Sequence, residues 1–291
     1  MDYKIVTDST IDLPADLIRS LNVEVINLGF TINGVMYKND IENPEFTAHE
    51  FFDLIKSGNI PVTNHIFEAD LMDRFRDILE KNLDIIYICF SQALSKTYKS
   101  ALIVKEKLQD EYPERKIIII DSRAASMGEG MLVYLASKKK EEGLTINELA
   151  KWIEENKLNI WHWFMVDDIK YLKNGGRIKL NNSVFYNTLK VKPILCIDGL
   201  GRIVQKYKAI GRKKSIEVLI EKMKTNYVSN TPIFISHADV INDAYYLRDE
   251  IIKNFKTGEI IINYIGPVIG SHTGCGTLAL FYVGSYARIV E

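Results

Sequence analysis

The sequence predicts an α/β protein in two parts: a parallel-sheet N-terminal domain at residues 1–160 and a mixed α+β C-terminal domain at residues 161–291. In the first part, apolar strand segments alternate with small polar turns and helical segments, an order that favours parallel strands with helices on both faces of the sheet. In the second part, two apolar segments flank an Asp-Gly-Leu-Gly turn at 198–201, the pattern of an antiparallel hairpin. The order of elements changes near residue 160, where we place the boundary.

The elements of the first part follow from local start and stop signals. Asn33-Gly34 between two short apolar segments predicts a hairpin. Thr47 with Glu50, and Thr145 with Glu148, have the spacing of a capping box and predict helix starts. In chain order we expect strands at 4–7, 23–28, 84–90 and 116–120, a loop at 58–65, and helices at 14–21, 47–56 and 67–79, then one ending near 109, one beginning near 124 and one at 145–156.

The second part contains fewer regular signals. We expect strands at 161–166, 191–197, 202–210, 232–236 and 259–265, a short helix that ends at 173, and further helical segments from 213 onwards. The segment at 266–276 has four glycines around His272, and so many glycines predict a backbone that wraps closely around a ligand or another part of the chain.

Composition excludes several classes of function. The formal net charge is −1, so there is no overall positive field to bind nucleic acid. Cys89, Cys196 and Cys275 are scattered, with no pair at metal-ligand spacing, so we expect no zinc or other metal site and no disulfide framework. The N-terminus lacks the pattern of a signal peptide, and no apolar segment reaches the ~20 residues that span a bilayer. We therefore expect a cytoplasmic protein, and a monomer.

A hydroxyl-rich turn follows the most apolar predicted strand. The strand from Asp84 runs into Ser91, Ser95 and Thr97, and a helical pattern begins directly afterwards. Ligands of open parallel sheets bind beyond the carboxyl ends of the strands, and hydroxyls beside a helix N-terminus favour an anionic group. The alternative interpretation is helix capping by Ser95, which is compatible with ligand binding.

Other candidate residues are individually less specific. Asp8-Ser9 and Asp121-Ser122 each end a strand, and they could form the lip of a ligand crevice or cap the next helix. Arg177 follows two glycines and is able to bind a carboxylate or phosphate with its planar guanidinium group. His272 could donate to an anion or act as a base.

Several short motifs occur in a fixed order along almost the whole chain. They are Thr7-Asp-Ser-Thr10 with Leu13-Pro14, Pro61-Val-Thr63, Ser91 with Leu94-Ser95, Thr97-Tyr98 and Ser100-Ala101, Asp121-Ser122 with Gly128 and Gly130, Leu172 with Gly175-Gly176-Arg177-Ile178, Lys192-Pro193-Ile-Leu195 with Asp198-Gly199, and Ile265-Gly-Pro-Val-Ile-Gly270 with His272-Thr-Gly274. This ordered set resembles the DegV family of bacterial fatty-acid-binding proteins.

The resemblance implies a long-chain fatty acid in the cleft between two α/β domains. Its carboxylate would be held by the hydroxyls of Thr63 and Ser95, and its acyl chain would lie in an apolar tunnel. Arg177 would lie at the mouth and face a kinase. The supporting residues around the head group would be Ser91, Gln92, Asn64 and His272.

The resemblance also implies a function. The protein would be a carrier without catalysis of its own and without a cofactor, which presents its fatty acid to the ATP-binding catalytic subunit of a fatty acid kinase and makes transient contact with a membrane. The chain departs from the family pattern near the head group, where Gln92 replaces a usual serine and Lys96 a usual glycine. Further departures are Asn64-His65-Ile66 for Ser-Gln-Pro, and Cys275 for proline.

Two other functions remain open from the residues. One is a serine acyl hydrolase that uses Ser91 or Ser95 as the nucleophile, His272 as the base and an acid such as Asp121. It is disfavoured because the chain has no Gly-x-Ser-x-Gly motif. The other is a binder of sugar phosphates or nucleotide phosphates, which a parallel sheet with glycine-rich turns also allows.

Overall fold

Three β-sheets organise the protein in a computed structural model that describes residues 2–178 and 191–290. The elements up to residue 160 are β1 (Tyr3–Asp8), α1 (Ala15–Leu21), β2 (Glu24–Ile26), β3 (Gly29–Ile32), β4 (Val35–Lys38), α2 (Ala48–Lys56), β5 (Val62–Asn64), α3 (Glu68–Leu79), β6 (Asp84–Cys89), α4 (Thr97–Glu111), β7 (Ile117–Asp121), α5 (Met127–Glu141) and α6 (Ile146–Asn156). Those that follow are β8 (Ile160–Met165), α7 (Lys170–Asn174), β9 (Val191–Ile197), β10 (Ile203–Ile210), α8 (Arg212–Lys224), β11 (Ile233–His237), α9 (Ile241–Asn254), β12 (Ile260–Tyr264), α10 (Pro267–Thr273) and β13 (Leu278–Val283).

The first sheet is parallel and has the order β2-β1-β6-β7, which confirms the predicted parallel sheet. Every residue of β6 is buried, which explains its continuous apolar sequence. One face packs against α3 and α4, where Tyr87 meets Phe75 and Ala101. The other packs against α5 and α6, where Ile86 and Ile88 belong to the main core.

The second sheet is small and antiparallel, with the order β4-β3-β5. Its β3–β4 hairpin turns at Asn33 and Gly34, both of which have positive φ, as the sequence predicted. The prediction of a loop at 58–65 is partly wrong, because β5 pairs with β3 and places Thr63 beside Phe30. A three-residue strand after a proline carries no alternating pattern that would reveal it.

The third sheet is mixed and has the order β10-β9-β8-β13-β11-β12, with one parallel pair, β11 and β12. The β9–β10 hairpin was predicted correctly. Sequence analysis assigned no strand to β13, which lies in the middle of the sheet between β8 and β11. It also missed the short helix α10 in the glycine-rich segment, which starts with Pro267 in its first turn. Both elements contribute to the site.

Helix α5 packs against both large sheets and depends on two glycines. A Cβ atom on Gly128 would lie 2.0 Å from Nε2 of His162 in β8. A Cβ atom on Gly130 would lie 2.6 Å from the carbonyl oxygen of Ile11. A larger residue at Gly128 would push α5 away from β8, and one at Gly130 would push it away from Ile11. The main core is therefore continuous from Ile5 of β1 to Phe281 of β13.

Three acidic side chains are buried beside α5. The hydroxyl oxygen of Thr10 lies 2.5 Å from Asp8 and 2.8 Å from Glu129, and its one proton can serve only one of these carboxyl groups. Burial, with a smaller contribution from Asp8, holds the pKa of Glu129 well above its usual range, so a protonated Glu129 supplies the second proton. Asp12 accepts hydrogen bonds from Ser126 (2.6 Å) and from the backbone N–H of Gly266 (2.9 Å).

Asp12 makes the stability of the protein depend on pH. Burial raises its pKa from 3.8 to about 7, against the hydrogen bonds of Ser126 and Gly266, which lower it. The folded state thus binds the proton more tightly than the unfolded state, so stability falls as pH rises from 3.8 to about 7. We expect the free energy of unfolding of the Asp12→Asn variant to fall less over this pH range than that of the unmodified protein, by up to about 4 kcal/mol. The free energy of unfolding, measured in denaturant at a series of pH values, checks this.

The exposed Asp77→Asn on α3 is the control for loss of one carboxylate. Its pH profile should follow that of the unmodified protein. Indistinguishable profiles for Asp12→Asn and the unmodified protein would contradict the assignment.

Candidate functional site

A cavity of about 460 Å³ lies between the carboxyl ends of the parallel sheet and one face of the mixed sheet. Its volume falls in the range of pockets that hold small-molecule ligands. Most of its wall is hydrocarbon. The large apolar side chains that line it are Leu28, Phe90, Leu94, Phe164, Leu172, Ile197, Ile203, Ile265, Val268, Ile269 and Phe281.

The register of the mixed sheet sets which side chains form the cavity floor. Phe164, Ala279 and Ser236 are direct neighbours across β8, β13 and β11. His162 and Phe281 are paired across β8 and β13, two residues further along the strands. All five line the cavity. Since side chains alternate between faces along a strand, this register gives the cavity a floor that is apolar except for Ser236 and His162.

Thr63 and His272 meet at one end of the cavity. Strand β5 turns the Thr63 side chain inward, while its neighbour Val62 is 63% exposed on the opposite face. His272 lies in the last turn of α10, and its Nε2 is 2.8 Å from the Thr63 hydroxyl oxygen. The ring also needs Gly175, because a Cβ atom there would lie 2.2 Å from its Nδ1. Two elements that the sequence did not reveal, β5 and α10, therefore place this pair.

The protonation of His272 determines what Thr63 can do. Burial, with a smaller contribution from the positive charge of Arg177, lowers the pKa of His272 to about 4, so the ring is neutral at neutral pH. Its Nδ1 is buried without a partner among the described residues. A bare lone pair there costs less than an unpaired N–H, which favours the proton on Nε2. Nε2–H then donates to Thr63, and the Thr63 hydroxyl is free to donate into the cavity.

Ser95 lines the same cavity from the turn before α4. Its hydroxyl oxygen accepts the backbone N–H of Thr97 at 3.2 Å and lies 3.0 Å from the Thr97 hydroxyl oxygen. Thr97 is fully buried and also accepts the N–H of Ile66, just after β5, at 3.3 Å. Thr97 thus connects the segments that carry Thr63 and Ser95. With Thr97 donating to Ser95, the proton of Ser95 is left for a ligand.

Arg177 supplies positive charge at this end. It lines the cavity, and its Nε donates to the carbonyl oxygen of Leu94 at 3.3 Å while its Nη1 donates to that of Gly175. Burial lowers its pKa, but a guanidinium group stays charged at any physiological pH. A carboxylate in this region would meet hydroxyl donors and a nearby cation.

The other predicted site residues divide into two groups. Asn64 and Gln92 line the cavity, although the amide of Gln92 donates to Asp121 at 2.9 Å. Ser91 does not line it: this side chain is fully buried and its hydroxyl donates to the carbonyl oxygen of Gly201 at 2.9 Å. Asp8 is likewise fully buried and accepts the N–H of Phe90. Ser91 and Asp8 therefore have structural hydrogen bonds and no access to the cavity.

The described residues do not assemble the hydrolase arrangement. His272 is hydrogen-bonded to a threonine, and its other ring nitrogen has no carboxylate partner within residues 2–178 and 191–290. Asp121 accepts the N–H groups of Gln92 and Arg123 and the Gln92 side chain. Neither serine proposed as a nucleophile has a histidine as a hydrogen-bond partner. The described residues therefore do not bring together a nucleophile, a base and an orienting acid.

One group of potential metal ligands lies outside the cavity. Side-chain atoms of His49, Asp53 and Asp239 come within 4.8 Å of one another. However, the ammonium group of Lys56 donates to both Asp53 (3.0 Å) and Asp239 (2.5 Å), so a positive charge already occupies the position between the two carboxylates. The group therefore forms an ion-pair network between α2 and the residues after β11.

Sequence analysis noted Lys96 and His65 only as departures from the family pattern, and it did not name several other cavity residues. Lys99, in the first turn of α4, lines the cavity together with Lys96 and His65, at the end where Thr63 and Ser95 lie. Ser126 and Ser236 line the wall further in. Lys99 follows Lys96 by three residues at the helix start, a spacing that could have indicated a shared face. Nothing in the sequence marks Ser236, which stands inside an apolar strand.

No helix formed by residues 2–178 or 191–290 is both long and apolar enough to cross a bilayer.

Comparison with known proteins adds independent information. A DegV domain-containing protein of Clostridium perfringens is 38% identical over 284 residues, which cover 97% of each chain. One from Streptococcus pyogenes is 30% identical over 99% of this chain and 100% of its own.

Solved structures have the same fold. A DegV family protein from Thermus thermophilus, described for its fatty-acid binding, has a TM-score of 0.87 at 30% identity and covers 98% of this chain and 100% of its own. A DegV lipid-binding protein from Thermotoga maritima also has a TM-score of 0.87, at 27% identity, over 99% of this chain and 100% of its own. The model of the family described as "Uncharacterised protein, DegV family" matches residues 2–285. This chain belongs to the DegV family.

Proposed function

We propose that the protein binds one long-chain fatty acid in the 460 Å³ cavity, with the carboxylate at Thr63 and Ser95. The observation that carries the proposal is the pair of hydroxyl donors, one of them held by His272, at the end of a hydrocarbon-lined space. Asn64, Gln92 and His272 support the head group, and Arg177 contributes charge. The fatty-acid binding described for the relative from Thermus thermophilus agrees with this.

The energetics of the cavity fit a fatty acid. Burying an acyl chain stabilises the complex by roughly 0.8 kcal/mol per methylene group. A carboxylate buried without partners would cost several kcal/mol, so one polar end of the cavity is required. Hydroxyl donors together with Arg177 meet that requirement. A sugar phosphate would instead need polar partners along its whole length, whereas most of this cavity wall is hydrocarbon.

We further propose that the protein is a carrier without catalysis of its own and presents its ligand to a separate fatty acid kinase. The exposed Lys96 and Lys99 line the cavity at the head-group end, so this end is accessible from the surface. A kinase could reach the carboxylate there with its ATP.

The carrier would load and release its fatty acid in contact with a membrane. The exposed side chains of Ile60, Val62 and Phe67 lie in β5 or next to it, and Phe67 contacts the ring of His65, which lines the cavity. We propose that this apolar rim makes transient contact with lipid while a fatty acid enters. Because the proposed kinase uses ATP, we propose that the carrier is a cytoplasmic protein.

Thr63→Val should weaken fatty-acid binding by roughly tenfold to a hundredfold. The change keeps the shape but removes one hydrogen bond to a charged group, worth about 1.5–3 kcal/mol. Ser95→Ala should act in the same direction. The measurement is the dissociation constant of a labelled long-chain fatty acid with the delipidated protein.

Thr31→Val is the matched control, because Thr31 lies opposite Val62 in the same small sheet and does not line the cavity. It should leave affinity unchanged. Full affinity in the Thr63→Val, Ser95→Ala double variant would place the carboxylate elsewhere and refute the proposed site.

Gly175→Ala should weaken binding through His272. The new Cβ atom would lie 2.2 Å from Nδ1, so the ring has to move and its hydrogen bond to Thr63 is lost. We expect a loss of about tenfold in affinity. Ring chemical shifts of His272 should change in the same variant.

Gly143→Ala is the control for a general loss of stability. Gly143 has a φ of +97° and open space around it, so alanine adds backbone strain away from the cavity. It should retain affinity. Equal affinities for Gly175→Ala and Gly143→Ala would show that His272 does not position Thr63.

A further inference from the structure

The wall of the cavity contains a second polar group, away from the head-group end. Ser126, before α5, and Ser236, on β11, both line the cavity, and their hydroxyl oxygens are 3.1 Å apart. Ser126 also donates to Asp12 at 2.6 Å. These three side chains are each at least 95% buried. They form a hydrogen-bonded row from the core to the cavity surface.

The direction of the hydrogen bonds shows what Ser236 offers. When the Asp12 carboxyl group is ionised it can only accept, so Ser126 donates its single hydroxyl proton to Asp12 in a hydrogen bond. Ser236 must then donate its own proton to Ser126. The lone pairs of the Ser236 hydroxyl oxygen remain available to accept a hydrogen bond. Ser236 thus presents a hydrogen-bond acceptor to the cavity. Ser126 has a positive φ of 52°, which is rare for a residue other than glycine. The backbone strain at Ser126 is consistent with a position held for function.

Helix α10 places this acceptor along the acyl chain. Asp12 binds the N–H of Gly266, the residue before the helix, whereas His272 in the last turn holds Thr63. Six residues of helix span about 9 Å. The Ser126–Ser236 pair is therefore connected, through Asp12, to the end of α10 opposite the one that holds Thr63.

We propose that the cavity selects a fatty acid with a hydroxyl group near the middle of its chain, which donates to Ser236. The inference rests on the proposed fatty-acid binding and names its substrate class. An unsubstituted chain leaves the Ser236 lone pairs against hydrocarbon, and unpaired buried polar groups are costly. A chain hydroxyl supplies the missing proton. An oxo group cannot, because it has none to donate.

Competition against labelled octadecanoic acid tests this on the delipidated full-length protein, at a pH above the pKa of Asp12. The competitors are octadecanoic acids with a hydroxyl group at successive mid-chain positions and the corresponding oxo acids. At least one hydroxy acid should compete about tenfold better than octadecanoic acid, and its oxo counterpart should not. Ser236→Ala should remove the advantage, so that each hydroxy acid and octadecanoic acid compete equally well.

Ser137→Ala is the matched control. Ser137 has a buried hydroxyl without a partner among the described residues, and it does not line the cavity. It should keep the preference of the unmodified protein. The inference is overturned if no hydroxy acid exceeds octadecanoic acid, if oxo acids bind as well as hydroxy acids, or if Ser236→Ala keeps the preference. In each of those cases octadecanoic acid still binds. Failure of the unmodified protein to bind any of the acids would instead refute the proposed function, and this inference with it.

Discussion

The hydrogen bond between Thr63 and His272 is the contact on which the proposed site depends. It joins β5 of the small sheet to α10, across 209 residues of sequence. Burial keeps the ring neutral, with its pKa lowered to about 4, so it orients the threonine hydroxyl without adding charge. At the other end of α10, Asp12 binds the N–H of Gly266 and, through Ser126, Ser236. One short helix is therefore connected both to the Thr63–His272 pair and to the Ser126–Ser236 pair of a largely apolar cavity.

Much of the fold could be predicted because its signals are local. The capping box of Thr47 and Glu50 and the Asn33-Gly34 hairpin occur as expected. The elements that were missed depend on distant partners. Strand β5 exists because β3 pairs with it, and α10 packs against α7 and α2, which are distant in sequence. Such short elements are stabilised by tertiary contacts that sequence patterns do not record.

The site was harder to predict than the fold. Ser91 and Ser95 are four residues apart in the same turn, yet Ser91 binds the carbonyl oxygen of Gly201 and only Ser95 lines the cavity. Thr63 was indicated by family resemblance, since its position in a short unrecognised strand gave no direct signal. Ser236 was not predicted as a site residue, because the face on which a buried strand residue lies depends on the register of the sheet. Chemistry-bearing residue types were recognisable, but their orientation was not.

A crystal structure of the protein loaded with a long-chain fatty acid tests the central claim most directly. The account predicts one carboxylate oxygen within hydrogen-bond distance, about 2.5–3.0 Å, of the hydroxyl oxygens of Thr63 and Ser95. The acyl chain should then pass Ser236 on its way across the mixed sheet. Density for the carboxylate at the opposite end of the cavity, or an acyl chain bound outside it, would contradict the account.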